Sequence, residues 1–363
     1  MPALFVRLFL YPLIFITGIS VSAGQNINAY SDYRNHFFVF DNGVSTQLEH
    51  QKIKSFKTSL NFIAYEDNIG TLKAWHNGKL TVLEKAWNGN YTVTDYMVVF
   101  LNYGALRVFD GKKFHELTLN AGKHLISQQA VLFLDEKYLL LKIFINGKID
   151  ELENISIGDV QEMKAGFNTA AFITYNNRFN IFYNGIMTEA ESYPPLEYRC
   201  GKDVIAWVDE STQMFKAFIG GKAFKLSEFK PKSFQTADSL VAYVSTDGDF
   251  NVITGKTTRK VETVEPRFYL AKDRMVVYEL NGYFMAYVNG AKYELEGFIP
   301  SAYHIHNDKI VWLDNSNRIK FLINGNIEIV TYEGTKNLSV NGNTVYFIDN
   351  TGREKIYFNK KVY

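Results

Sequence analysis

The feature that most constrains this fold is a repeat of about 35 residues that runs along nearly the whole chain. Each copy contains a short apolar segment that ends in an aromatic residue, such as Phe62 to Tyr65 or Leu240 to Tyr243. Successive closing aromatics are 33 to 39 residues apart. The ten closing aromatics are Tyr30, Tyr65, Phe100, Phe133, Phe172, Trp207, Tyr243, Tyr278, Trp312 and Phe347. Self-similarity at a fixed period of this length indicates an array of identical structural units.

A two-residue turn follows each closing aromatic after about a dozen residues. Most of these turns are Asn-Gly pairs, because both residues accept the positive φ angles of a type I′ hairpin. The ten pairs are Asn42-Gly43, Asn77-Gly78, Asp110-Gly111, Asn146-Gly147, Asn184-Gly185, Gly220-Gly221, Thr254-Gly255, Asn289-Gly290, Asn324-Gly325 and Asn359-Lys360. An earlier turn rich in Asp and Asn, such as Asp314 to Asn317, lies between each aromatic and its hairpin. Three antiparallel strands per repeat are therefore predicted, here named B, C and D.

A fourth strand, A, is predicted before the closing aromatic. Nine residues before the aromatic stands a large side chain in most repeats, and seven residues before it stands a smaller one, as at Tyr198 and Cys200. Side chains two apart on a strand share one face, so these positions form a packed face. Four short antiparallel strands joined by tight turns make a β-propeller blade. The predicted fold is thus all-β, a β-propeller of ten short four-stranded repeats.

The repeats resemble periplasmic TolB-like and WD40-like propeller repeats over nearly the whole chain. The segment Val241 to Gly248 is similar to the strand and turn of a TolB-like repeat. The Trp-Asp dipeptide of WD40 repeats is absent, and these repeats are shorter than their roughly 40 residues. The resemblance implies the architecture and carries no activity with it, because one fold hosts many functions.

The strand count raises the question of how the repeats close. The repeats begin in a strand B at Tyr30 and end in a strand D at Tyr363, which gives nine A strands for ten B strands. Ordinary propellers have about four to eight blades. We expect one continuous ring, since no long linker interrupts the repeat. The alternative is two five-bladed rings with a seam near residues 194–195, at Pro194-Pro195.

Residues 1–23 are predicted to be a secretory signal peptide, and residues 24–363 the propeller domain. Arg7 precedes an apolar run that ends in small residues before Ala23, the predicted cleavage point. A transmembrane anchor is the alternative, but Pro12 and Gly18 interrupt the run, which is shorter than the roughly 20 apolar residues of a spanning helix. We expect a mature protein without a membrane-spanning segment in the periplasm, or alternatively a secreted, extracellular one.

The charge and composition of the chain limit the classes of partner that we expect. The 39 basic and 38 acidic residues nearly balance, so no basic footprint for nucleic acid or anionic lipid is present. Lys exceeds Arg, and Asn, Tyr and Phe are abundant, as in proteins of AT-rich genomes. Together with the signal segment, this composition favours a Bacteroidota-type bacterial envelope protein. Envelope or outer-membrane proteins are the expected partners, a neutral glycan is an alternative, and nucleic acid is not expected.

The best candidate ligand pair is His304 and His306, which lie two apart on one face of a strand A with Asp308 close behind. A metal site needs at least a third positioned ligand, and none can be named from the sequence. The competing interpretation is a solvated polar face of the blade, because other repeats carry Lys, Thr, Arg, Gln or Ser there. We predict the polar face and assign no metal, cofactor or catalytic residue.

Two further candidates have structural explanations. Asp-rich turns such as Thr246 to Asp249 resemble calcium loops, but Asp and Asn also stabilise tight turns through their own backbone, and no full calcium spacing is present. Cys200, the single cysteine, occupies the small packed level of strand A and is predicted to be a core residue rather than a nucleophile. Nucleophile-elbow and phosphate-loop patterns are absent.

The sequence therefore predicts a non-catalytic exported propeller that acts as a protein-binding or scaffold module in the bacterial envelope. One specific version is a periplasmic accessory of an outer-membrane protein export machine such as the type 9 secretion system. The alternative is a carbohydrate-binding protein or glycoside hydrolase that uses one mouth of the propeller. A cluster of carboxylates and exposed aromatics at one mouth would favour that alternative.

Overall fold

The computed structural model describes residues 26–156 and 158–363, which form 39 strands in ten sheets. The predicted signal segment, residues 1–23, lies outside the described residues. Across the two described ranges the structure contains no helix with the length and apolar character needed to cross a bilayer. The strands are numbered in chain order and grouped below into blades 1 to 10.

The first five blades contain β1 to β19. Their bounds are β1 (Ile27–Ser31), β2 (Phe37–Asp41), β3 (Val44–Glu49); β4 (Ser55–Thr58), β5 (Ile63–Glu66), β6 (Leu72–His76), β7 (Lys79–Glu84); β8 (Gly89–Val93), β9 (Val98–Asn102), β10 (Ala105–Phe109), β11 (Phe114–Thr118); β12 (Ala121–Ile126), β13 (Ala130–Asp135), β14 (Leu140–Ile145), β15 (Lys148–Asn154); β16 (Glu162–Ala165), β17 (Thr169–Ile173), β18 (Phe179–Tyr183) and β19 (Ile186–Glu191).

The last five blades contain β20 to β39. Their bounds are β20 (Glu197–Cys200), β21 (Val204–Val208), β22 (Phe215–Ile219), β23 (Lys222–Ser227); β24 (Ser233–Thr236), β25 (Leu240–Val244), β26 (Phe250–Thr254), β27 (Thr257–Glu262); β28 (Phe268–Lys272), β29 (Met275–Leu280), β30 (Tyr283–Val288), β31 (Ala291–Glu296); β32 (Tyr303–His306), β33 (Lys309–Leu313), β34 (Ile319–Ile323), β35 (Asn326–Thr331); β36 (Gly334–Asn341), β37 (Thr344–Asp349), β38 (Glu354–Phe358) and β39 (Lys361–Val362).

Each sheet is a meander in the predicted order A, B, C, D. Blade 1 has three strands within the described residues, and β1 holds Tyr30, so it is a B strand, while the other nine sheets have four strands. The predicted count of nine A strands for ten B strands is confirmed. The residue nine positions before the closing aromatic is its cross-strand partner in every four-stranded blade, as for Tyr198 opposite Trp207 and Leu338 opposite Phe347. The packed face of strand A therefore lies where the alternation predicts it.

The ten blades form one ring. Blades 5 and 6 share a core in which the Phe179 and Trp207 ring centroids are 5.9 Å apart, so Pro194-Pro195 lies in a connection between packed neighbours. Blades 10 and 1 close the ring through Phe40 and Phe358, whose centroids are 5.7 Å apart. The single ring is confirmed and the arrangement as two five-bladed rings is wrong, because the same inter-blade packing continues across the proposed seam.

Four neighbouring blade pairs are joined by a repeated contact that we name the aromatic latch. In each, the polar atom of a closing aromatic donates a hydrogen bond to a Glu 16 residues earlier, near the end of the preceding blade's strand D. Trp207 Nε1 donates to Glu191 Oε1 at 3.0 Å, and Lys216 Nζ lies 2.8 Å from the same oxygen. The other three pairs are Tyr65 with Glu49, Tyr278 with Glu262 and Trp312 with Glu296. The latch gives each buried aromatic polar atom a partner, which avoids a desolvation penalty.

The predicted hairpins occur between strands C and D, with two corrections. Asn146 and Gly147 have φ angles of 51° and 77°, as a type I′ turn requires. In blade 3 the predicted pair Asp110-Gly111 belongs instead to a four-residue loop, in which Asp110 Oδ1 accepts hydrogen bonds from the amides of Lys112 and Lys113. In blade 7 the loop is Gly255-Lys256, one residue later than predicted, because Thr254 pairs with Thr257 in the ladder.

Candidate functional site

The turns between strands A and B converge at one end of the ring, which we name the A–B mouth. They surround a cavity of about 520 Å³ whose lining comes from every blade except blade 4. Its charged and aromatic lining includes Asp95, Tyr96, Phe167, Lys202, Asp238 and Arg274. Strand A is the inner strand of the blades, because A-strand residues from blades 2, 3, 8, 9 and 10 line a second central cavity of about 220 Å³. Polar groups on strand A and its turn therefore face the ring centre.

Hydrogen bonds link the A–B turns of successive blades into a rigid rim. In blades 6, 7 and 8 the backbone amide of one turn donates to a backbone carbonyl of the next blade. These bonds run from Lys202 to Ala237, from Asp238 to Asp273 and from Arg274 to Asn307, at 3.1, 2.7 and 3.2 Å. Blades 5 and 6 are joined by Asn168 Nδ2, which donates to Asp203 Oδ1 at 2.7 Å. The rim holds the mouth residues in fixed relative positions.

Asp95 is the most highly connected residue of the A–B mouth. Its Oδ1 accepts the amide of Leu60 in blade 2 at 2.9 Å, and its own amide donates to Gln128 Oε1 in blade 4 at 3.0 Å. Its Oδ2 accepts a hydrogen bond from His306 Nε2 at 3.2 Å, although His306 belongs to blade 9. Both side chains are nearly buried, with exposed fractions of 9% and 12%. The carboxylate thus joins blades that are not neighbours in the ring.

His304 and His306 correct the prediction of a solvated blade face. The two histidines line the central cavity together, because the polar face of an inner strand points to the ring centre rather than to bulk water. His304 Nδ1 accepts the amide hydrogen of Val340 in blade 10 at 3.2 Å. Burial, with the smaller electrostatic effects of Lys272 and His306, lowers the pKa of His304 to about 4. The structure places Asp308 at the mouth, where Lys309 Nζ lies 2.8 Å from its Oδ1.

Asp238 lies between two cations at the mouth. Lys202 Nζ is 3.4 Å from its Oδ1 and Arg274 Nε is 3.1 Å from its Oδ2. Only 9% of the Asp238 side chain is exposed, whereas 56% of the Arg274 side chain is. Because one buried carboxylate faces two positive groups, the local charge is positive. More than half of the Arg274 side chain remains exposed and can contact a ligand.

Two aromatic rings complete the A–B mouth. Tyr96 and Phe167 meet edge to face with centroids 5.4 Å apart, although blade 4 separates their blades in the chain order. Lys202 Nζ lies 4.8 Å from the centroid of Phe167, within the range of a cation–π interaction. Burial raises the pKa of the Tyr96 phenol, and the negative charges of Asp95 and Asp238 raise it further. The mouth therefore brings together aromatic faces, carboxylates and cations.

Apart from Asp308, sequence reasoning did not single out these mouth residues, yet the repeat carries a signal for them. Two residues of the A–B turn stand five and four positions before the closing aromatic of each four-stranded repeat. Asp95 and Tyr96 hold these positions before Phe100, and Lys202 and Asp238 stand five residues before Trp207 and Tyr243. In other repeats the same positions carry Asn61, Phe167, Arg274, Asn307 and Asp308. The side chains at these positions vary between repeats, while the residue types that form the strands and hairpins recur. This contrast distinguishes the A–B turns from the repeated structural positions.

The Asp-rich turns use their carboxylates for the turn itself. Asp314 Oδ1 accepts the amides of Ser316 and Arg318 at 2.8 and 3.0 Å, and Arg318 Nε donates to its Oδ2 at 2.6 Å. Burial alone would raise the pKa of Asp314, but the bonds from Arg318 and Ser316 lower it overall. Throughout the described ranges, no group of three or more His, Cys, Asp or Glu side chains has an arrangement that could hold a metal ion.

Cys200 lies on strand A as its position in the repeat predicts. It packs against the core cluster that contains Tyr198, Ile205 and Trp207. Its Sγ donates a long hydrogen bond to the Lys164 carbonyl at 3.7 Å. Burial raises the pKa of the Cys200 thiol to about 12, which keeps it protonated near neutral pH.

Comparisons with known proteins address the fold. The sequence model of a family described as the 10-bladed beta propeller domain matches residues 21–363. No curated protein matches the chain in sequence. The computationally designed Ika8 protein is a similar solved structure, at 13% identity and a TM-score of 0.35, with 92% of this chain and 100% of that chain covered.

Two natural proteins of known structure are also similar. The CRINKLY WD40 ectodomain of the Arabidopsis thaliana receptor kinase ACR4 has 10% identity and a TM-score of 0.33, with 66% of this chain and 98% of that chain covered. PorZ of Porphyromonas gingivalis, a surface component of the type-IX secretion system, has 9% identity and a TM-score of 0.25, with 94% of this chain and 59% of that chain covered. Likenesses at these scores carry no argument about function.

Proposed function

Because the chain belongs to the family of 10-bladed beta propeller domains, we propose that it is a non-catalytic protein-binding scaffold whose A–B mouth contacts a partner protein. The observation that carries the proposal is the hydrogen-bonded rim, which fixes charged and aromatic side chains on one face of the ring. A preorganised surface binds with a smaller loss of conformational entropy than a mobile one. Aromatic and Arg side chains of the kind found at this mouth are enriched among binding hot spots.

The pairing of the mouth carboxylates supports binding over hydrolysis. Asp95 bonds to His306, Asp238 lies between Lys202 and Arg274, and Asp308 pairs with Lys309. A glycosidase needs one carboxylic acid with a raised pKa beside a second, free carboxylate. Burial alone would raise the pKa of Asp308, but Lys309 lowers it overall, so Asp308 stays charged and does not fill the acid role.

For the location, we propose the bacterial periplasm, with secretion to the cell exterior as the alternative. The support is the signal-like composition of residues 1–23 and the bias toward Lys, Asn and aromatic residues. Within that compartment, the more specific proposal is an accessory role in an outer-membrane protein export machine such as the type 9 secretion system. That proposal rests on the same sequence features and on the scaffold-type fold.

The scaffold proposal is tested by affinity purification of the tagged protein from an envelope fraction in mild detergent. We expect one membrane or periplasmic protein to co-purify at near-stoichiometric yield. A double charge reversal at the end of the ring opposite the A–B mouth, Arg353→Glu with Lys336→Glu, is the control and should retain the partner. A protein that captures nothing, but that hydrolyses a glycan and loses this activity on Asp95→Asn or Asp308→Asn substitution, would contradict the scaffold proposal.

A second candidate function, binding of a neutral glycan, is favoured by one specific observation. Tyr96 is 42% exposed and meets Phe167 at the mouth, beside the carboxylates named above. Sugar rings stack on exposed aromatic faces and bond to fixed polar groups. Titration calorimetry with neutral oligosaccharides should then show binding that Tyr96→Ala removes. Tyr332→Ala is the control, because Tyr332 is 67% exposed but lies outside the mouth.

A further inference from the structure

A groove on the same face of the ring extends outward from the A–B mouth across blades 7 and 8. It has a volume of about 550 Å³ and is lined by A–B turn residues and by residues of the C–D hairpins. It shares Lys202, Asp238 and Arg274 with the mouth cavity of about 520 Å³. The two cavities therefore adjoin, and together they extend from the ring centre toward the outer edge of the blades.

The charged side chains that line this groove are mostly positive. Its charged lining consists of Lys202, Arg259, Arg274 and a single carboxylate, Asp238. Asp238 is nearly buried and already contacts two of the cations. Arg259 donates to the Gly290 carbonyl at 3.3 Å, and within the described ranges it has no acidic partner. The whole chain carries a net charge of only +1, so the excess positive charge is a local property of the groove.

The neutral part of the lining suits a bound carboxylate-bearing chain. Thr254 and Thr257 contribute hydroxyl groups and Asn289 contributes an amide, which can donate hydrogen bonds, whereas the Ser239 hydroxyl donates to Asp238 Oδ1 at 3.2 Å. Leu240 and Val252 form a buried apolar part of the lining. Arg guanidinium groups bind carboxylates through two parallel hydrogen bonds, which gives both affinity and orientation. The lining thus combines cations, hydroxyl and amide groups, and apolar side chains.

We infer that this groove binds an acidic, extended segment of the partner protein, an inference that rests on the proposed scaffold function. Arg259 and Arg274 come from different blades, and such separated cations match successive carboxylates along a peptide better than they match one small anion. The complementary charge would steer the encounter and set the register of the bound segment. The C–D hairpins that form the outer wall contain the ladder pair Thr254 and Thr257, so this wall is fixed by regular sheet structure.

The first test uses a short fluorescent peptide that alternates glutamate and serine, with a glutamine version as the reference. At low salt, fluorescence anisotropy should show at least roughly tenfold tighter binding of the glutamate peptide. The double variant Arg259→Gln, Arg274→Gln should lose about tenfold or more of that affinity. Arg353→Gln with Lys336→Gln removes the same charge at exposed sites outside the groove and should change it by less than about twofold. Unfolding curves would establish that each variant is folded.

If both double variants weaken the glutamate peptide equally, overall charge explains the binding and the inference is overturned. The inference is also overturned if the groove variant retains full affinity for the glutamate peptide. It is likewise overturned if the variant instead loses affinity for a neutral oligosaccharide. Arg259→Gln alone provides a second measurement should the double variant fold poorly, because Arg259 has no ion pair in the described ranges and its removal leaves Asp238 compensated.

Affinity purification separates this inference from the scaffold proposal. If the groove variant captures the same envelope partner as the unmodified protein, the partner binds elsewhere, so the groove inference fails while the scaffold proposal stands. If the unmodified protein captures no partner but binds the glutamate peptide selectively, the scaffold proposal fails while the groove assignment stands.

Discussion

The aromatic latch between blades 5 and 6 provides the sharpest stability test of the ring. Glu191→Ala removes the acceptor for the indole N–H of Trp207, a residue that is 1% exposed. An unsatisfied buried donor costs roughly 1–3 kcal/mol. The lost ion pair with Lys216 adds up to about 1 kcal/mol, because both of its side chains are partly buried and Lys216 also bonds to Asp209. We expect the free energy of unfolding to fall by about 2–3 kcal/mol.

The control for this substitution lies two residues earlier on the same strand. Glu189 is 40% exposed and pairs with Arg178, which is 54% exposed, so Glu189→Ala should change the free energy of unfolding by less than about 1 kcal/mol. Urea unfolding, followed by far-UV circular dichroism, would compare the two variants, in each of which one Glu side chain is truncated to Ala. Equal destabilisation by both would refute the latch as an energetic link between blades.

A double-mutant cycle then isolates the latch from simple loss of packing. Trp207→Phe removes the indole N–H along with some volume, and the double variant with Glu191→Ala removes donor and acceptor together. We expect a coupling free energy of about 1 kcal/mol between the two sites, since neither group is left unpaired in the double variant. Strictly additive effects would mean that the hydrogen bond makes no net contribution.

Three further outcomes follow from the turns, the thiol and the buried histidine. Gly147 has a φ of 77°, so Gly147→Val should destabilise the protein by roughly 1–2 kcal/mol in thermal or urea unfolding. Lys148→Val is the control and should change the stability little. Equal stability of the two variants would exclude the hairpin assignment. Cys200 should react slowly with a thiol reagent in the native state and rapidly in denaturant, and rapid native labelling would contradict its packed position. The pKa of His304 is about 4 when folded and about 6.5 when unfolded, so the unfolded state binds more protons between these values. Stability should therefore fall by up to roughly 3 kcal/mol as the pH drops from about 6.5 to about 4, and His304→Gln should flatten this fall; an unchanged pH profile would refute the burial of the imidazole.

The framework of the blades was predictable because it depends on local chemistry repeated ten times. The closing aromatic and the residue nine positions earlier are direct cross-strand partners, as Phe56 and Tyr65 illustrate, so one alternation fixed both the face and the register. The two hairpins that departed from prediction did so for local reasons. Asp110 stabilises a longer loop through its carboxylate, and Thr254 remains in the ladder because Gly255 takes the positive φ.

Contacts between distant repeats could not be predicted from the sequence. The bond between Asp95 and His306 joins residues 211 positions apart, and it forms only when the ring closes. The polar face of strand A illustrates the same difficulty. The alternation showed that His304 lies opposite the packed face, but only ring closure determines that this side meets other blades rather than solvent. The latch, by contrast, had a sequence signal in the constant spacing of 16 residues between the Glu and the aromatic.

The way the ring centre is filled bears on where a ligand can bind. A ring of ten blades exceeds the usual four to eight and would leave a wide hole if it were circular. Contacts between non-adjacent blades close it instead. Asn341 Nδ2 of blade 10 donates both to the Ile27 carbonyl of blade 1 and to the Ser59 carbonyl of blade 2, next to the place where blade 1 has no inner strand in the described residues. Asp95 and His306 bridge the centre as well, beside the central cavity of about 220 Å³. Under the proposed scaffold function, we expect a partner to bind on a face of the ring, and the groove beside the A–B mouth is a concave surface there with an excess of cationic side chains.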